Sequence, residues 1–496
     1  MKILYMPLDE RPCNYKFPEM NIIKNNSIEL IEIPLKYMGN KKNPANLEQI
    51  YNWLEENIYL CDAAVISLEM IIHGGLLPSR IHSTELATLK KRLEKFIKLI
   101  EKVKKYKEIN IFLFALVMRT PSYSSSEEEP SYYQEYGEYI FKRGYLLDKQ
   151  KRSILTKEEE NILKQTTNLI PQEIINDYEN RRVKNRDIII NCALLLKDKI
   201  IDYLVIPQDD SSKFGYGPQD KQVIFSYLKQ NKIEDKVLTY PGADEVGSAL
   251  LCRCILMNLE KKPSIAIMFD REKDQTLIPK YEGMALIDSI KHQINVSSAI
   301  YQPNISDADI ILFIHTSNQK MCDSWLQQPY SYNDNVYKQL LKLNKPFIIC
   351  DVAFANGSDL SFVKSVFNNL INDKMLSYAA WNTSGNTIGT AISSGLIQYL
   401  YGNKYTRDKL LFYRIADDCV YQSIIRRKYY KKLKYQKIQV TTGYIDNNDN
   451  IIKDKIKKEL TENLKMYYNK LPFAIKSINF PWFRLFEIDI ELGEID

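Results

Sequence analysis

The sequence predicts an α/β protein with largely parallel sheets and alternating helices. Three features predict it: short apolar runs rich in β-branched and aromatic residues, charged amphipathic stretches between them, and polar clusters directly after them. The ten runs cover residues 3–8, 28–35, 63–68, 109–118, 201–206, 237–240, 264–269, 310–314, 346–350 and 375–381. Ten strands are more than an eight-stranded barrel uses. We therefore predict a barrel-like or doubly wound N-terminal half and a smaller three-layer α/β part.

The stretch between the third and fourth runs predicts an amphipathic helix. Residues 86–107 place apolar side chains three or four positions apart, at Leu89, Leu93, Phe96, Ile97, Ile100 and Val103. Such a stripe covers one face of a helix and packs it against a sheet. A strand, a helix of this kind and the next strand form a βαβ unit, whose crossover makes the two strands parallel.

Changes in composition predict three parts. Residues 1–260 form a barrel-like α/β domain, and residues 261–400 form a second α/β domain that begins with a new strand. Residues 401–496, where the alternation fades, form a C-terminal helical extension with a closing strand. The polar run YSSSEEEP at 123–130 opens an inserted loop near 120–150, of the kind that contacts a substrate. The sequence shows no internal repeat.

Composition and charge exclude several classes of protein. The 496 residues carry 68 Lys and Arg against 62 Asp and Glu, so the net charge of +6 is small and we expect no nucleic-acid partner. An apolar share of 45% is typical of a globular chain and excludes a disordered one. The first twelve residues lack a signal-peptide core, and no apolar stretch is long enough to span a membrane. We therefore expect a cytoplasmic location and no membrane partner.

Cysteine and histidine usage makes a metal centre improbable. The eight Cys are scattered, the four His are never four positions apart, and no paired CxxC occurs. This pattern favours reduced thiols, no structural zinc and no bound cofactor. Neither a dinucleotide fingerprint nor a phosphate-binding P-loop is present in the sequence.

Polar side chains follow almost every predicted strand. Because the carboxyl ends of parallel strands share one edge, where ligands bind in such folds, we predict that these side chains line a single large polar pocket. The candidates for substrate contact are Asp9, Arg11, Asn14, Glu69, His73, Arg119, Gln208, Asp351, Asn356, Asn382 and Asn386. The candidates for catalysis are two adjacent acidic pairs, Asp209 with Asp210 and Asp244 with Glu245.

The two acidic pairs also have structural interpretations. Asp209 and Asp210 could cap the next helix, although the polar and glycine-containing turn around them favours a catalytic or ligand-binding role. Asp244 and Glu245 precede an apolar helix, where carboxylates interact well with the helix dipole. For this second pair the structural and the functional interpretation fit equally well.

Other polar groups follow the same logic. Asp9 lies beside Arg11 at the end of a buried strand, which suits a charge-paired contact with substrate. His73, before two glycines, fits a hydrogen-bonded turn better than a metal site. The segment from Asn382 through Asn386 runs from a strand into an apolar helix and offers backbone N–H groups to a ligand.

A later segment has helical spacing of charged residues. Arg414, Asp417, Asp418, Gln422 and Arg426 would share one side of a helix. An ion-paired helix face is the simpler interpretation of this spacing, ahead of a functional one.

The motifs PLDERPCN, HGGLLPSR, MRTP, PQDDSS, PGADEVG, DVAFANGSD, WNTSGNTIGTA and RIADDCVYQ occur in this order. Together they resemble the bacterial proteins grouped as domain-of-unknown-function family 4127, and the resemblance runs from Lys2 to about Glu491. Cys13 stands where the family pattern has an apolar residue, and His73 stands where an aromatic is more usual. The family has no settled activity, so the resemblance implies kinship and no reaction. Its pattern coincides with the strand-end clusters at Asp9, Arg11, Arg119, Asp209, Asp210, Asp244, Glu245, Asp351, Asn356, Asn382 and Asn386.

The scarcity of His and the absence of a GxSxG motif argue against a nucleophilic triad, whereas carboxylates dominate the expected pocket. The leading hypothesis is a hydrolase of carbohydrate, a glycosidase that uses paired carboxylates. In one version Asp209 and Asp210 act on an acetamido sugar, one orienting the acetamide and its neighbour protonating the leaving oxygen.

Two alternatives stay open. The first is a divalent-metal-dependent hydrolase of a phosphorylated or other polar small molecule, with Asp9, Asp209, Asp210, Asp244 and Asp351 as oxygen ligands. The second is a non-catalytic protein that binds a sugar or another metabolite. The expected partner is a small-molecule or oligosaccharide substrate in each case, and a homo-oligomer is allowed.

Overall fold

The computed structural model describes residues 1–22, 27–367, 373–434, 444–468 and 470–495. Within them the chain is an α/β protein with two parallel sheets and one antiparallel hairpin, which confirms the predicted fold class. All ten predicted apolar runs contain a strand of one of the two parallel sheets.

The first sheet has six parallel strands. They are β1 (Lys2–Met6), β2 (Glu29–Glu32), β3 (Ala63–Ser67), β4 (Asn110–Phe114), β5 (Tyr203–Val205) and β6 (Val237–Leu238), in the order β2-β1-β3-β4-β5-β6. All five residues of β3 are buried, as expected for a central strand covered on both faces. The sheet ends at β2 and β6 and does not close, so the doubly wound alternative holds and the barrel-like one does not.

Helices follow most strands in both sheets. In chain order they are α1 (Lys16–Ile22), α2 (Leu47–Ile58), α3 (Leu68–His73), α4 (Leu76–Ile81), α5 (Leu86–Tyr106), α6 (Tyr133–Arg152), α7 (Lys157–Leu169), α8 (Gln172–Leu194), α9 (Tyr216–Gln230), α10 (Val246–Asn258), α11 (Leu286–Val296), α12 (Asn335–Lys342), α13 (Leu360–Phe367), α14 (Ser384–Tyr401), α15 (Lys404–Arg414), α16 (Arg426–Lys434) and α17 (Asn450–Leu464). The predicted helix at 86–107 is α5, with the predicted stripe buried apart from Ile97, which is partly exposed.

The segment between β4 and β5 differs from the predicted loop near 120–150. Helices α6, α7 and α8 fill most of the segment between β4 and β5. Within 120–150, only the residues up to Tyr132 form a loop. Tyr133, Ile140 and Tyr178 from α6 and α8 are buried together with Tyr216 in an apolar cluster. Burial of these side chains stabilises the helices, a contribution that a polar loop signal does not reveal.

The second sheet has five parallel strands. They are β7 (Ser264–Phe269), β8 (Ile300–Tyr301), β9 (Ile310–His315), β10 (Phe347–Asp351) and β11 (Met375–Ala379), in the order β11-β10-β9-β7-β8. The sequence did not predict β8, which has two residues, both exposed.

The two sheets share one topology. In each, the second strand of the chain lies on one side of the first, and the third, fourth and fifth strands follow on the other side. The strand order therefore reverses between β1 and β3 in the first sheet and between β7 and β9 in the second. Such switch points open a crevice at the carboxyl ends of the strands, where doubly wound folds bind ligands.

The chain divides into two compact units. The first contains Met1–Glu10, Asn26–Gly247 and Tyr281–Gly283, and the second contains Arg11–Asn25, Ser248–Lys280 and Met284–Asp496. This division differs from the predicted three parts in two ways. The boundary falls within α10 rather than at residue 260, and the short segment that begins at Arg11 belongs to the second unit.

Residues beyond 400 belong to the second unit as well. A π-helix (Ile415–Ile425) follows α15, and β12 (Ala474–Asn479) pairs antiparallel with β13 (Asp489–Gly493), which lies in the predicted closing segment. Phe412, Tyr421 and Ile490 share one hydrophobic core with Phe313 of β9 and Ile349 of β10. Because this core includes both segments, 401–496 packs as part of the second unit and not as a separate extension.

Candidate functional site

The predicted site residues fall into two groups because the strands belong to two sheets. Asp9, Glu69, His73, Arg119, Gln208, Asp209, Asp210, Asp244 and Glu245 lie in the first unit. Arg11, Asn14, Asp351, Asn356, Asn382 and Asn386 lie in the second. Each unit contains one of the two parallel sheets, and each sheet has a carboxyl edge of its own.

The first unit concentrates charge around Arg80 and Arg119. Arg80 donates to Asp209 Oδ2 at 2.5 Å and to Glu128 Oε2 at 3.0 Å. Arg119 donates to Asp210 Oδ2 at 2.9 Å, to Glu128 Oε2 at 2.7 Å and, through Nε, to Glu129 Oε1 at 2.9 Å. Two guanidinium groups thus hold four carboxylates, and Arg80 is only 2% exposed.

The contacts of Asp209 and Asp210 decide between the two interpretations of this pair. The next helix, α9, begins after Gly215, and no side chain caps its N-terminus. Asp210 has a φ of 34°, in the left-handed region that side chains rarely occupy, and it turns the chain directly after Asp209. The two carboxylates therefore serve the arginines of the ion-pair cluster and not a helix cap.

A small cavity lies against this cluster in the first unit. Its lining includes Glu69, His73, Arg80, Asn185 and Asp209. The space for the centres of water molecules is about 20 Å³, enough for roughly one water. The rest of the wall is Ser79 and six apolar side chains: Leu68, Leu76, Leu116, Met118, Ile188 and Ile189.

Glu69 is the buried acid of this cavity. It lies in the first turn of α3, directly after β3 and next to the switch point of the first sheet. Its Oε1 accepts from the backbone N–H of Leu116 at 2.7 Å, and its Oε2 accepts from the Ser67 hydroxyl at 3.1 Å. Burial, with a smaller contribution from the Asp209 charge, raises the pKa of Glu69 to about 7.

The carboxyl groups of the cluster are electrostatically unequal. Burial and the neighbouring Asp209 charge raise the pKa of Asp210 to about 6. Burial also raises the pKa of Glu129, against the opposing charges of Arg119 and Arg80. Asp209 instead has the Arg80 guanidinium at hydrogen-bond distance. Acids of raised pKa therefore lie beside a carboxylate in an ion pair, an arrangement that suits acid–base chemistry.

His73 lines the cavity as a neutral side chain. Burial, followed by the charges of His82 and Arg92, lowers the pKa of His73 well below its usual value. Its ring lies 4.5 Å from that of His82, measured between centroids. His73 thus lines the cavity as an uncharged ring.

The remaining predicted residues of the first unit lie at neighbouring strand ends. Gln208 joins the extended ends of β4 and β6, and its Oε1 accepts from Lys221 at 3.0 Å. Glu245 accepts from the backbone N–H of Ala243 at 2.9 Å, and burial raises the pKa of Glu245 to about 8. Asp9 and Asp244 are both buried. Glu69 and Asp209 line the cavity, whereas neither Asp244 nor Glu245 does. This favours Glu69 and Asp209 over the second acidic pair as candidates for catalysis.

The predicted residues of the second unit hold its own loops together. Asp351 accepts from the backbone N–H of Asp359 at 2.7 Å and from the Tyr378 hydroxyl at 3.1 Å. Asn356 donates to Asp323 at 2.6 Å, and the backbone N–H of Asn356 donates to the Asn382 carbonyl at 2.9 Å.

The predicted helix N-terminus and the N-terminal arginine have similar structural partners. The Thr383 side chain caps α14 by accepting from the backbone N–H of Asn386. Arg11 donates to Glu487 at 3.3 Å, and Asn14 donates to Cys13 Sγ at 3.6 Å.

The switch point of the second sheet carries a histidine that the sequence prediction left out. His315, at the end of β9, bonds through Nδ1 to Asp270 at 2.5 Å and through Nε2 to Asp359 at 3.1 Å. Burial opposes protonation, but the two carboxylates outweigh it and raise the pKa of His315 to about 10. The ring is fully buried and stacks on Phe362, which makes this network a structural one.

Three residues of the first-unit site were also missed. Arg80 stands in the motif HGGLLPSR, and Glu128 and Glu129 stand in the acidic run at 123–130. A run of three acids ahead of a helical segment indicates cationic partners, so the sequence did contain a signal for these residues. Only the fold shows that the partners are Arg80 and Arg119.

Among the described residues, no group of three or more His, Cys, Asp or Glu side chains could hold a metal ion. No helix in the same part of the chain is long and apolar enough to cross a membrane. No curated protein matches the chain. A family model described as "Protein of unknown function (DUF4127)" matches residues 3–491. Since this match covers nearly all of the 496 residues, the chain belongs to the DUF4127 family.

Proposed function

We propose that the protein is a hydrolase of glycosidic bonds whose reaction takes place at the carboxyl edge of the first sheet. One observation carries the proposal: Glu69 and Asp209 line the same cavity with different partners. Burial raises the pKa of Glu69 to about 7, whereas Asp209 forms an ion pair with Arg80. Glycosidases require such a pair, one acid that protonates the leaving oxygen and one carboxylate that faces the sugar.

Glu69 is the proton donor of the proposed reaction. With a pKa of about 7 it is protonated below neutral pH, and it becomes a base after the proton has left. The hydrogen bonds from Ser67 and Leu116 fix its carboxyl group and reduce the motion needed at the moment of transfer.

Asp209 and Asp210 supply the negative charge. The transition state of glycoside hydrolysis carries positive charge at the sugar ring, so fixed carboxylates stabilise it more than they stabilise the neutral substrate. With an acetamido sugar, the same pair orients the acetamide and stabilises the charge that develops on it. Arg80 and Arg119 hold both carboxylates in position throughout.

The exposure of the cluster indicates how a substrate reaches it. The side chains of Asp209 and Asp210 are 11% and 24% exposed, so a ligand meets them before Glu69, which is buried. Tyr123 is 45% exposed and lies within electrostatic reach of Arg119, Glu128 and Asp210. An exposed aromatic ring beside carboxylates is suited to stack on a sugar.

A panel of aryl glycosides that includes N-acetylhexosaminides tests the proposal. We expect turnover of at least one member by the full-length protein, with the rate unchanged by EDTA. Loss of the rate in EDTA and its return with Mg²⁺ or Mn²⁺ would instead support the metal-dependent hydrolase. Saturable binding of a glycoside without turnover would support the non-catalytic alternative.

A further inference from the structure

The helix face predicted from Arg414 to Arg426 is buried in the second unit. It includes the π-helix, whose wider turns bring residues five positions apart together, so that Gln422 Nε2 donates to Asp417 Oδ1 at 3.1 Å. Arg414, Asp417, Asp418, Gln422 and Arg426 are all buried. The ion-paired helix face expected from the sequence is present in the Arg414–Asp418 pair at 2.6 Å, and this face is buried. π-Helical turns occur frequently at functional sites, so the polar groups of this π-helix are candidates for a function.

Arg426 is a buried cation that pairs with no carboxylate among the described residues. Its guanidinium lies 4.2 Å from the ring centre of Trp325 and 5.2 Å from that of Phe486. Within the part of the chain that the structure describes, Nε and Nη1 have no hydrogen-bond partner and the side chain makes no ion pair. Leaving a buried guanidinium in this state costs several kcal/mol, roughly, because burial removes its water without replacing it.

A second set of unpaired donors lies nearby in the same unit. Arg414 gives one hydrogen bond to Asp418 at 2.6 Å, but its Nε and Nη1 have no partner among the described residues. Its guanidinium stacks on Phe17 at 4.6 Å. Phe17 and Trp381 line a small cavity together with Asp417 and Glu487. The indole N–H of Trp381 also lacks a partner within the described part of the chain.

The carboxylates near Arg426 leave its charge without an ion pair. Arg426 interacts electrostatically with Asp323, Glu487 and Asp417, but none of the three is within ion-pair distance of it. Burial and the Asp418 charge raise the pKa of Asp417 to about 7, so this carboxyl group is partly neutral and can itself donate a hydrogen bond. Among the described residues, five donor nitrogens on three side chains therefore lack acceptors.

We propose that Arg426, Arg414 and Trp381 form a binding site for the anionic group of a small molecule, a carboxylate or a phosphate. Guanidinium groups bind both through paired, charge-assisted hydrogen bonds, and the indole N–H adds a third donor. Trp325 and Phe486 are partly exposed, which places Arg426 one side chain below the surface of the second unit. The site is separate from the proposed reaction centre and does not depend on it.

Calorimetric titration of the full-length protein with inorganic phosphate and with acetate, at constant ionic strength, tests the site. We expect saturable binding of one probe, and the identity of that probe distinguishes a phosphate from a carboxylate ligand. Arg426→Met should weaken this binding at least tenfold, whereas Arg407→Ala, which removes a cation paired with Asp373 and Asp408, should leave it unchanged.

Thermal denaturation provides the second readout. Because Met replaces a buried unpaired charge with an apolar chain of similar length, Arg426→Met should melt at a higher temperature than the wild type in buffer without either probe. Arg426→Lys keeps the charge but not the planar fork of donors, so it should bind the probe with intermediate affinity. If the Met variant does not fold, the affinity of Arg426→Lys tests the proposal in its place. Failure of both probes to bind the wild type, or equal binding by the wild type and the substituted protein, would overturn the proposal.

Discussion

The guanidinium of Arg80 donates a hydrogen bond to Asp209 Oδ2 at 2.5 Å, across 129 positions of sequence. This contact places an ion-paired Asp209 at the wall of a cavity whose other acid, Glu69, has a pKa raised by burial to about 7. The two acids differ in their partners: Glu69 accepts from one backbone amide and one hydroxyl, whereas Asp209 accepts from a guanidinium.

Removing the charge at Asp209 or Asp210 should reduce turnover strongly. Asp209→Asn and Asp210→Asn keep the size of the side chain but remove the negative charge that stabilises the transition state, so we expect rates roughly 10²–10³-fold lower. The loss of unfolding free energy should be about 1–3 kcal/mol, since each amide still accepts from its arginine. Steady-state kinetics and thermal denaturation measure the two effects separately.

A carboxylate of the same unit outside the cluster provides the control. Asp177 pairs with Arg181 on α8, so Asp177→Asn also removes an ion-paired charge. We expect its rate to equal that of the wild type. Near-normal rates in both cluster variants as well would remove Asp209 and Asp210 from the mechanism.

Replacing Arg80 should destabilise the first unit. Arg80→Met leaves Asp209, Glu128 and Glu129 with one cation fewer in a mostly buried cluster, and we expect a loss of about 3–5 kcal/mol in unfolding free energy. Lys102→Met removes an exposed partner of Glu55, where water screens the charges, and should cost far less. Equal losses in urea denaturation of the two variants would show that the arginine cluster contributes no special stability.

The rate should fall as pH rises through about 7. A proton donor works only in its protonated form, and the pKa of Glu69 lies at about 7, so kcat/KM should drop roughly tenfold per pH unit above it. If Asp210 is the donor instead, the drop begins near pH 6 and persists in Glu69→Gln. A profile measured from pH 5 to pH 9 separates these outcomes from a pH-independent rate.

Stability should also decrease with pH. Burial raises the pKa of Glu245 to about 8 and that of Asp351 to about 7, above the values of about 4 in unfolded chains. The folded state then binds more protons than the unfolded state between about pH 4 and pH 8, so the free energy of unfolding falls as pH rises. The melting temperature should follow this fall across the same range.

An isosteric variant identifies one source of that slope. Glu245→Gln cannot titrate, so it should flatten the dependence of the melting temperature on pH between about 5 and 8. Glu85→Gln alters an acid whose side chain is 81% exposed and should leave the slope unchanged. An unaltered slope in Glu245→Gln would show that this carboxyl group does not contribute to the pH dependence.

The apolar runs predicted the sheets well because burial on both faces requires near-continuous apolar strands. Two exposed residues, Ile300 and Tyr301, form β8 without such a run, so no pattern identified it. The helices α6 and α8 were missed because their stability comes from Tyr133, Tyr178 and Tyr216, which meet only after folding.

The sequence correctly predicted that several polar groups of the first unit lie close together. Glu69, Arg119, Asp209 and Asp210 do lie together, as expected for groups that follow neighbouring parallel strands. Sequence could not show that Asp9 and Arg11, two positions apart, belong to different units. Nor could it show that Asp351 is held by its own loop, since that depends on how residues 352–359 fold back.

The most direct test of the central proposal is the hydrolysis of aryl glycosides by Glu69→Gln. The amide oxygen can still accept from the Leu116 N–H while the amide NH2 donates to the Ser67 hydroxyl, so the fold should persist, but the amide cannot protonate the leaving oxygen. We predict a rate roughly 10²–10⁴-fold below that of the wild type for poor leaving groups, and a smaller loss for activated nitrophenyl glycosides, which need less protonation. A rate equal to that of the wild type with both kinds of substrate would contradict the assignment of Glu69 as the proton donor.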